Sequence, residues 1–418
     1  MLISLFIFLL TIIAVLRRPA GVSEAVVGII GAAVMIGAGY VSLPQTYTVV
    51  IDSLNVVLFF LGLMIMVAIA EVSGLVETAA NTAARFSHGN GRLLLLVVFG
   101  IGIIITILLS NDATVLILTP VVLALTSRFN LNPLPYVFAC AFVANASSML
   151  LPIANPVNLL AIDAFDIRLP EYLIHLLLPG LTAIAVTISL FMIIFRREVR
   201  TNFTLEANSF YPVNPLLMPV LTTLGIVVAG YILFSVQGWP LSIPVLSGAI
   251  MLLAIALTGR HITLRPLSKS ISWSILPFIV SLAVLVQGLA NSGLIQLLGD
   301  HLTTLLNQGE IPASLVASFG TAVGANLFNN WPMMMISVET LRTSPELIGM
   351  VPALPYQVIL GADLGPNIAI FGSFSTLLWF VILRRRGLNI KPSSYLKLGV
   401  IVTLPALLFS SLVLILIS

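Results

Sequence analysis

Ser110-Asn111-Asp112-Ala113-Thr114 is a polar break inside an apolar run, with Arg92 to Leu109 before it and Val115 to Thr126 behind it. No water-exposed loop has room to form there, so the chain is expected to turn round at membrane depth. A backbone that leaves helical geometry in hydrocarbon orphans its hydrogen-bonding groups, at a cost on the order of several kcal/mol each, unless protein or a cavity satisfies them. A polar break in such a place therefore needs a function. A second one, Pro152-Ile153-Ala154-Asn155-Pro156-Val157-Asn158, lies in the next long apolar segment.

Composition sets the frame around these breaks. Of 418 residues 59% are hydrophobic and 8% charged, with a mean hydropathy of +1.15; a soluble globular chain carries roughly a quarter charged residues. The sequence is read as a polytopic membrane protein. The hydrophilic stretches between apolar runs are too short for a soluble or enzymatic module, and no GxxxxGK[ST] phosphate loop occurs. Energy for work must then come from an ion gradient or a separate subunit. The net charge of +3 does not signal nucleic-acid binding, because the basic residues sit at the ends of apolar runs. Met1 to Leu16, followed by Arg17-Arg18, lacks a basic start and a small-residue cleavage site, so it is read as a helix and not as a removed signal peptide.

Taken in order, apolar runs long enough for about 30 Å of hydrocarbon occur at 2–16, 22–40, 49–70, 134–162 and 172–195, with the interrupted run 92–127 read as a re-entrant helical hairpin. A polar connector, Arg196 to Asn214, follows. The same order then returns: runs at 216–236, 242–258 and 271–290, an interrupted run at 311–343 turning at Asn329-Asn330-Trp331-Pro332, a broken run at 354–383, and a last span at 397–417. Asn111 precedes Asn155 by 44 positions and Asn330 precedes Ser373 by 43. The fold class is therefore all-α and polytopic, with about ten transmembrane helices, two re-entrant hairpins and two inverted repeats with broken helices. The expected division is 1–200, a cytoplasmic connector at 201–212, and 213–418. Five crossings per copy force the second copy upside down.

Lys and Arg test this topology. With the loop after the first span cytoplasmic, sixteen of the 18 basic residues fall inside, and Arg168 and Arg342 alone fall outside. One missed crossing would scramble such a split. Both termini are then expected outside, the first hairpin enters from the cytoplasm, and the second enters from the opposite face.

Four broken elements are expected to meet near the bilayer midplane, where half-helices offer unpaired backbone groups and positive dipole ends to a solute. The candidate binding residues are Ser110, Asn111, Thr114, Asn145, Ser148, Asn155, Asn158, Asn329, Asn330, Asn367, Ser373 and Ser375, with Ser147, Asn326 and Thr376 in the same breaks. A lining of neutral amides and hydroxyls suits a small neutral polyol or hydroxide better than a strongly charged ion. The plainer account makes them helix caps and interhelical glue; four paired breaks argue against it for the set as a whole. Asp112, at the first tip, and Asp363, in the second broken helix, are the candidate proton-coupling residues, because an intramembrane carboxylate is costly and usually functional. Glu71 and Glu77 lie near a cytoplasmic helix end, where solvation accounts for them.

Cys140 is the only cysteine. One thiolate cannot supply the several sulfur ligands that soft ions prefer, so it is read as core. His88, His175, His261 and His301 show no metal-ligand spacing, and neither a metal nor a cofactor is expected.

Leu109-Ser110-Asn111-Asp112-Ala113-Thr114 with Leu118-Thr119-Pro120, and Val143-Ala144-Asn145-Ala146-Ser147-Ser148 with Leu151-Pro152-Ile153-Ala154-Asn155-Pro156-Val157-Asn158, resemble the ArsB arsenite/antimonite efflux transporters of the ion transporter superfamily. The resemblance covers the whole chain. It implies export of trivalent arsenic and antimony, as neutral trihydroxides, in exchange for protons, from a prokaryotic inner membrane, with an optional ArsA-type ATPase as partner. Related dicarboxylate carriers commonly carry Ser-Asn-Thr at both tips. Here the tips read Ser-Asn-Asp and Asn-Asn-Trp, and the added carboxylate would repel a dianion. A sodium/proton antiporter of the same architecture is the alternative, since Asp112 and Asp363 can bind Na+ and H+ competitively. A passive channel or scaffold has no use for repeated breaks.

Overall fold

The computed structural model describes residues 1–17, 22–203, 214–259, 262–263, 265, 267–268, 271, 273–306 and 309–418. Arg18, Arg260, His261, Lys269 and most of the expected connector lie outside them. Within the described residues there are twenty α-helices, and the only β pairing recorded among them is an isolated bridge between Asn90 and Asn202.

Both interrupted runs are helical hairpins. The first is Gly91–Leu108 and Asn111–Arg128; the second is Glu310–Phe328 and Asn330–Thr343. Both long broken runs separate as well. The first broken helix is Leu134–Ala146 and Asn158–Phe165, with a short 3-10 turn at Pro152–Ala154 between its parts. The second is Leu354–Leu364 and Phe374–Arg385, with a 3-10 turn at Gly365–Asn367.

Side chains at three of the four breaks start the next helix. Ser110 Oγ accepts from the Ala113 N–H at 3.1 Å, and Ser373 Oγ accepts from the Thr376 N–H at 3.2 Å. Asn329 stands at φ +80° and ψ 154°, a strained backbone conformation for a residue with a side chain, and its Oδ1 accepts from the Trp331 N–H at 3.3 Å. Each of these caps satisfies a donor that hydrocarbon would leave orphaned. Asp112 is not a cap: it stands in the first turn after Ser110, where its carboxylate faces the positive end of the helix.

Among the described residues six helices have the length and hydropathy to cross a membrane: Leu54–Val72, Gly91–Leu108, Leu169–Ile194, Leu217–Gln237, Glu310–Phe328 and Pro392–Ile417. Ile275–Asn291 joins them when it is taken together with Leu294–Leu305, to which it is bent by 69°. Leu2–Val15, Glu24–Gly37, Leu134–Ala146 and Ser242–Thr258 are apolar but shorter. Outward-facing side chains such as Ile104, Ile174, Ile226 and Ile250 are exposed, as a lipid-facing surface requires. The run expected at 49–70 divides at Ser53 into Leu43–Asp52 and Leu54–Val72. Besides the short Pro345–Met350, two helices were not anticipated, Leu75–Phe86 and Leu294–Leu306. Both are amphipathic and too mixed to register as spans, and each packs against both arms of the hairpin that follows it.

Packing repeats the order seen in the sequence. Glu24–Gly37 packs on Ile275–Asn291 of the other half, and Leu54–Val72 on Ser242–Thr258. Likewise Asn111–Arg128 of the first hairpin packs on Phe374–Arg385, and Asn330–Thr343 of the second on Asn158–Phe165. Each hairpin therefore touches the broken helix of the opposite half. Within a half, close approach needs a small residue, and the halves place it on opposite partners. Gly102 of the first hairpin faces Val143, whereas Gly361 of the second broken helix faces Thr321 and the Ser318 carbonyl of the second hairpin. A Cβ at either glycine would collide with its neighbour.

Candidate functional site

The breaks bring their polar side chains together in linked clusters. Asn145 Nδ2 donates to Asn367 Oδ1 at 3.0 Å and to Thr376 Oγ1 at 3.3 Å, while its Oδ1 accepts from Ser375 Oγ at 3.3 Å. Ser373 Oγ lies 2.8 Å from Ser375 Oγ and 2.9 Å from Thr376 Oγ1, and Asn367 Nδ2 donates to the Phe142 carbonyl at 3.1 Å. All five side chains are buried.

The second cluster is built on Asp363. Asn155 Nδ2 donates to Asp363 Oδ1 at 2.6 Å, and Asn158 Nδ2 donates to Asp363 Oδ2 at 2.9 Å. Asn158 Nδ2 also lies 3.3 Å from the Ser148 carbonyl and 3.3 Å from the Tyr172 hydroxyl. The carboxyl is fully buried, in the last turn of Leu354–Leu364 and not in the break itself. An ionised carboxylate in such a place needs charge-assisted bonds, and the first broken helix supplies them from the other half. Each oxygen accepts one amide N–H, which leaves lone pairs for a further donor.

At the hairpin tips the two halves differ. Asn111 Oδ1 accepts from the Asp112 N–H at 2.9 Å, and Thr114 Oγ1 pairs with Thr106 Oγ1 at 2.7 Å. The second tip is sewn to the second broken helix: the Asn330 N–H donates to the Gly372 carbonyl at 2.9 Å, and Asn329 Nδ2 to the Phe371 carbonyl at 3.2 Å. Asn326 Nδ2 donates to the Gly365 carbonyl at 2.7 Å, and its Oδ1 accepts from the Ala369 N–H at 2.8 Å. Trp331, the counterpart of Asp112, packs edge-on against Phe60, ring centroids 5.8 Å apart. Two amide oxygens in this region, Asn158 Oδ1 and Asn330 Oδ1, are buried without a hydrogen-bond partner. They belong to the first residues of two helices that pack on each other.

Two cavities flank the site. The larger, about 420 Å³, is lined by Val56, Leu160, Ile279, Met335, Asp52, Asp163, Glu339 and Arg342 among others. The smaller, about 80 Å³, is lined by Ser110, Asp112, Glu71, Phe60, Leu116, Ile275 and Leu378 among others. Their walls are built from equivalent positions. Val56, Phe60, Met64, Val67 and Leu116 each stand 219 positions before Ile275, Ile279, Ala283, Val286 and Met335, and Leu160 stands 218 before Leu378; in every pair one residue lines each cavity. Asp112 therefore opens to the small cavity while Asp363 is sealed, so the two acids do not share one chamber. Glu71, which the sequence leaves to solvent, shares the wall with Asp112.

Ser148 contributes a backbone bond, its Oγ donating to the Asn145 carbonyl at 2.8 Å. Cys140 is buried, its Sγ 3.2 Å from the Tyr136 carbonyl. Tyr172 is the residue that sequence reading missed, because it sits inside an ordinary apolar span with no polar break to mark it.

The sequence matches the description "Arsenical pump membrane protein" (ArsB) over residues 3–417. The chain belongs to this arsenical pump membrane protein family. It is 29% identical over 415 residues to the arsenical pump membrane protein of Escherichia coli, across 97% of this chain and 96% of that one. It is 26% identical over 426 residues to a putative arsenical pump membrane protein of Bacillus subtilis, across 96% of each. Among solved structures, the YdaH transporter of Alcanivorax borkumensis shares the fold, with a TM-score of 0.58 at 17% identity over 87% of this chain and 84% of that one. The arsenical pump family is one of multi-pass membrane transporters, and membership makes this chain a transporter for arsenicals.

Proposed function

We propose that this arsenical pump family member exports trivalent arsenic and antimony from the cytoplasm, as neutral trihydroxides, in exchange for protons. The observation that carries this reading is the pair of partnerless buried oxygens, Asn158 Oδ1 and Asn330 Oδ1, in the region of a carboxylate with lone pairs to spare. A neutral trihydroxide brings three O–H donors, one for each amide oxygen and one for Asp363. Ser110, Asn111, Thr114, Asn145, Ser148, Asn155, Asn329, Asn367, Ser373 and Ser375 complete the breaks around it. Thiolate capture, too tight for rapid release, is not needed.

Asp363 gives a coupling rule. A solute O–H can donate to the carboxylate only while that oxygen carries no proton, so solute and proton compete for one group, which is the linkage an exchanger needs. Asp112, with Glu71, serves as the acid on the smaller cavity, where a proton is released.

Residues 1–200 and 213–418 form the two inverted copies, joined by a cytoplasmic connector at 201–212, with both termini outside. In this orientation the larger cavity faces out and the smaller faces the cytoplasm. Unequal cavities with equivalent walls support alternating access, in which one contracts as the other opens. A partner ATPase, where one is used, meets the cytoplasmic face.

The three oxygens also suit a sodium ion, so a sodium/proton antiporter is the second reading; the amide donors at both Asp363 oxygens weigh against it. Everted vesicles separate the two. Antimonite uptake driven by an inside-acid gradient supports export, and sodium-dependent collapse of that gradient without antimonite uptake supports the antiporter.

A further inference from the structure

We infer that the Asn158 carboxamide turns over when Asp363 takes up a proton, and so transmits the charge state of that carboxyl to the solute. The inference rests on the proton-exchange reading above and names the group that carries it. Two amides hold Asp363, and they are not equally free. Asn155 Nδ2 donates to Asp363 Oδ1 at 2.6 Å while its own Oδ1 accepts from the Val157 N–H at 3.3 Å, so both ends of that amide are engaged. Asn158 Nδ2 donates to Asp363 Oδ2 at 2.9 Å, whereas Asn158 Oδ1 is buried without a partner, an arrangement that wants an explanation.

The bonds at Asn158 are unevenly shared. An amide nitrogen has two hydrogens and its oxygen two lone pairs. Three acceptors surround Nδ2, namely Asp363 Oδ2, the Ser148 carbonyl at 3.3 Å and the Tyr172 hydroxyl at 3.3 Å. This orientation is favoured while Asp363 is charged, because hydrogen bonds to an ionised oxygen are about twice as strong as neutral ones.

A proton on Asp363 Oδ2 reverses the preference. One O–H bond forms, the carboxylate charge is cancelled, and the new hydrogen faces Nδ2, donor against donor. Half a turn about the last side-chain bond puts Oδ1 in place of Nδ2. There it accepts from the Asp363 O–H and from the Tyr172 O–H, since a hydroxyl can donate as well as accept, and Asp363 Oδ1 keeps its bond from Asn155. Nδ2 then stands where Oδ1 stood, so the solute meets a donor in place of an acceptor. One proton removes two acceptors from the solute, Asp363 Oδ2 and Asn158 Oδ1. Tyr172 is a positioning residue that serves both orientations.

Among the described residues on the elements packed against Leu354–Leu364, Tyr172 is the one titratable side chain hydrogen-bonded to Asn158. Glu171 and His175 meet Tyr356 near the start of that helix, and Asp163, Glu339 and Arg342 line the larger cavity. Glu310, Glu346 and Lys397 are exposed, and Tyr136, Cys140 and Tyr395 pack in the apolar cluster around Phe138 and Phe142.

The test is calorimetric titration of the purified full chain with antimonite across the pH range, wild type against Tyr172→Phe. Loss of the hydroxyl takes one of two donors from Oδ1 in the turned state, but only a surplus acceptor from Nδ2 in the other, so it disfavours the protonated form. The midpoint of the fall in affinity on acidification is expected to move down by about half a pH unit, with binding about threefold tighter below it, the size of one neutral hydrogen bond. An unmoved or raised midpoint overturns the turn and leaves direct competition at Asp363 standing, because without a turn the hydroxyl only steadies the amide that holds the carboxylate. A wild-type affinity that does not weaken in acid removes the exchange reading and the turn with it. A second measurement needs no variant: infrared difference spectra of the wild-type chain carrying carbonyl-labelled asparagine, recorded on acidification without antimonite. One asparagine C=O band is expected to fall in frequency in step with the rise of a protonated-carboxyl band, as Oδ1 gains two donors. A carboxyl band that rises with no asparagine shift overturns the turn.

Discussion

Asn145 and Asp363 stand 218 positions apart and make the same contact in opposite directions across the molecule. Asn145 of the first half bonds Thr376 at 3.3 Å, and Asp363 of the second half bonds Asn158 at 2.9 Å; Thr376 follows Asn158 by the same 218 positions. The two hydrogen bonds are counterparts, differing in that an amide holds one centre and a carboxylate the other. Symmetry of architecture is thus kept while charge is confined to one side of the pair, the asymmetry on which the proposed proton exchange draws.

Replacing Asp363 with Asn removes the charge and keeps the shape. Gradient-driven antimonite transport is expected to fall at least tenfold, while exchange without a gradient persists and loses its pH dependence. Normal concentrative transport by Asp363→Asn would remove Asp363 from the coupling scheme.

Competition at Asp363 also predicts the sign of the wild-type pH dependence. As pH falls the carboxylate is occupied by a proton and can no longer accept a solute O–H, so antimonite affinity is expected to weaken on acidification. Calorimetric titration across the pH range checks the direction; tighter binding in acid contradicts competition.

Asn158→Leu leaves Asp363 with one amide donor in a fully buried site. Losing a hydrogen bond to a charged group costs roughly 1.5–3 kcal/mol, so a fall in melting temperature is expected. Asp363→Asn combined with Asn158→Leu is expected to recover part of it, since the unpaired charge is gone.

Gly361→Ala places a Cβ against the Ser318 carbonyl and Thr321, and such overpacking costs roughly 1–3 kcal/mol. Gly100→Ala meets nothing within 4 Å and sits inside a helix, where alanine is better by roughly 0.5–1 kcal/mol. Thermal unfolding in detergent is expected to move in opposite directions for the two.

The paired cavities make a prediction about access. In a background where Cys140 is replaced, Met335→Cys is expected to react with an impermeant thiol reagent from outside and its counterpart Leu116→Cys from the cytoplasm. A condition that raises one rate is expected to lower the other. Rates that rise together would contradict exchange of the two cavities.

The sequence by itself determined where helices stop. Polar residues in the middle of apolar runs have one stable solution in hydrocarbon, a break whose backbone is satisfied by caps, and so both hairpins and the second broken helix were legible to within a residue or two, whereas the first broken helix ends at Ala146, ahead of the expected break at Pro152. The 218–219 offset was legible for the same reason, because the cost of each break keeps it in place in both halves. Leu75–Phe86 and Leu294–Leu306 were not, since an amphipathic helix lying beside a hairpin carries no span-length apolar signal.

Only the tertiary structure decided which breaks meet. That Asn155 and Asn158 hold Asp363, that Asn145 belongs with Thr376, and that Asp112 opens to one cavity while Asp363 is sealed all depend on helices more than two hundred residues apart packing across halves. Periodicity and hydropathy act along the chain, whereas a buried carboxylate is satisfied by whatever donor the fold brings within hydrogen-bond distance, and for that distance the linear order of residues has no expression.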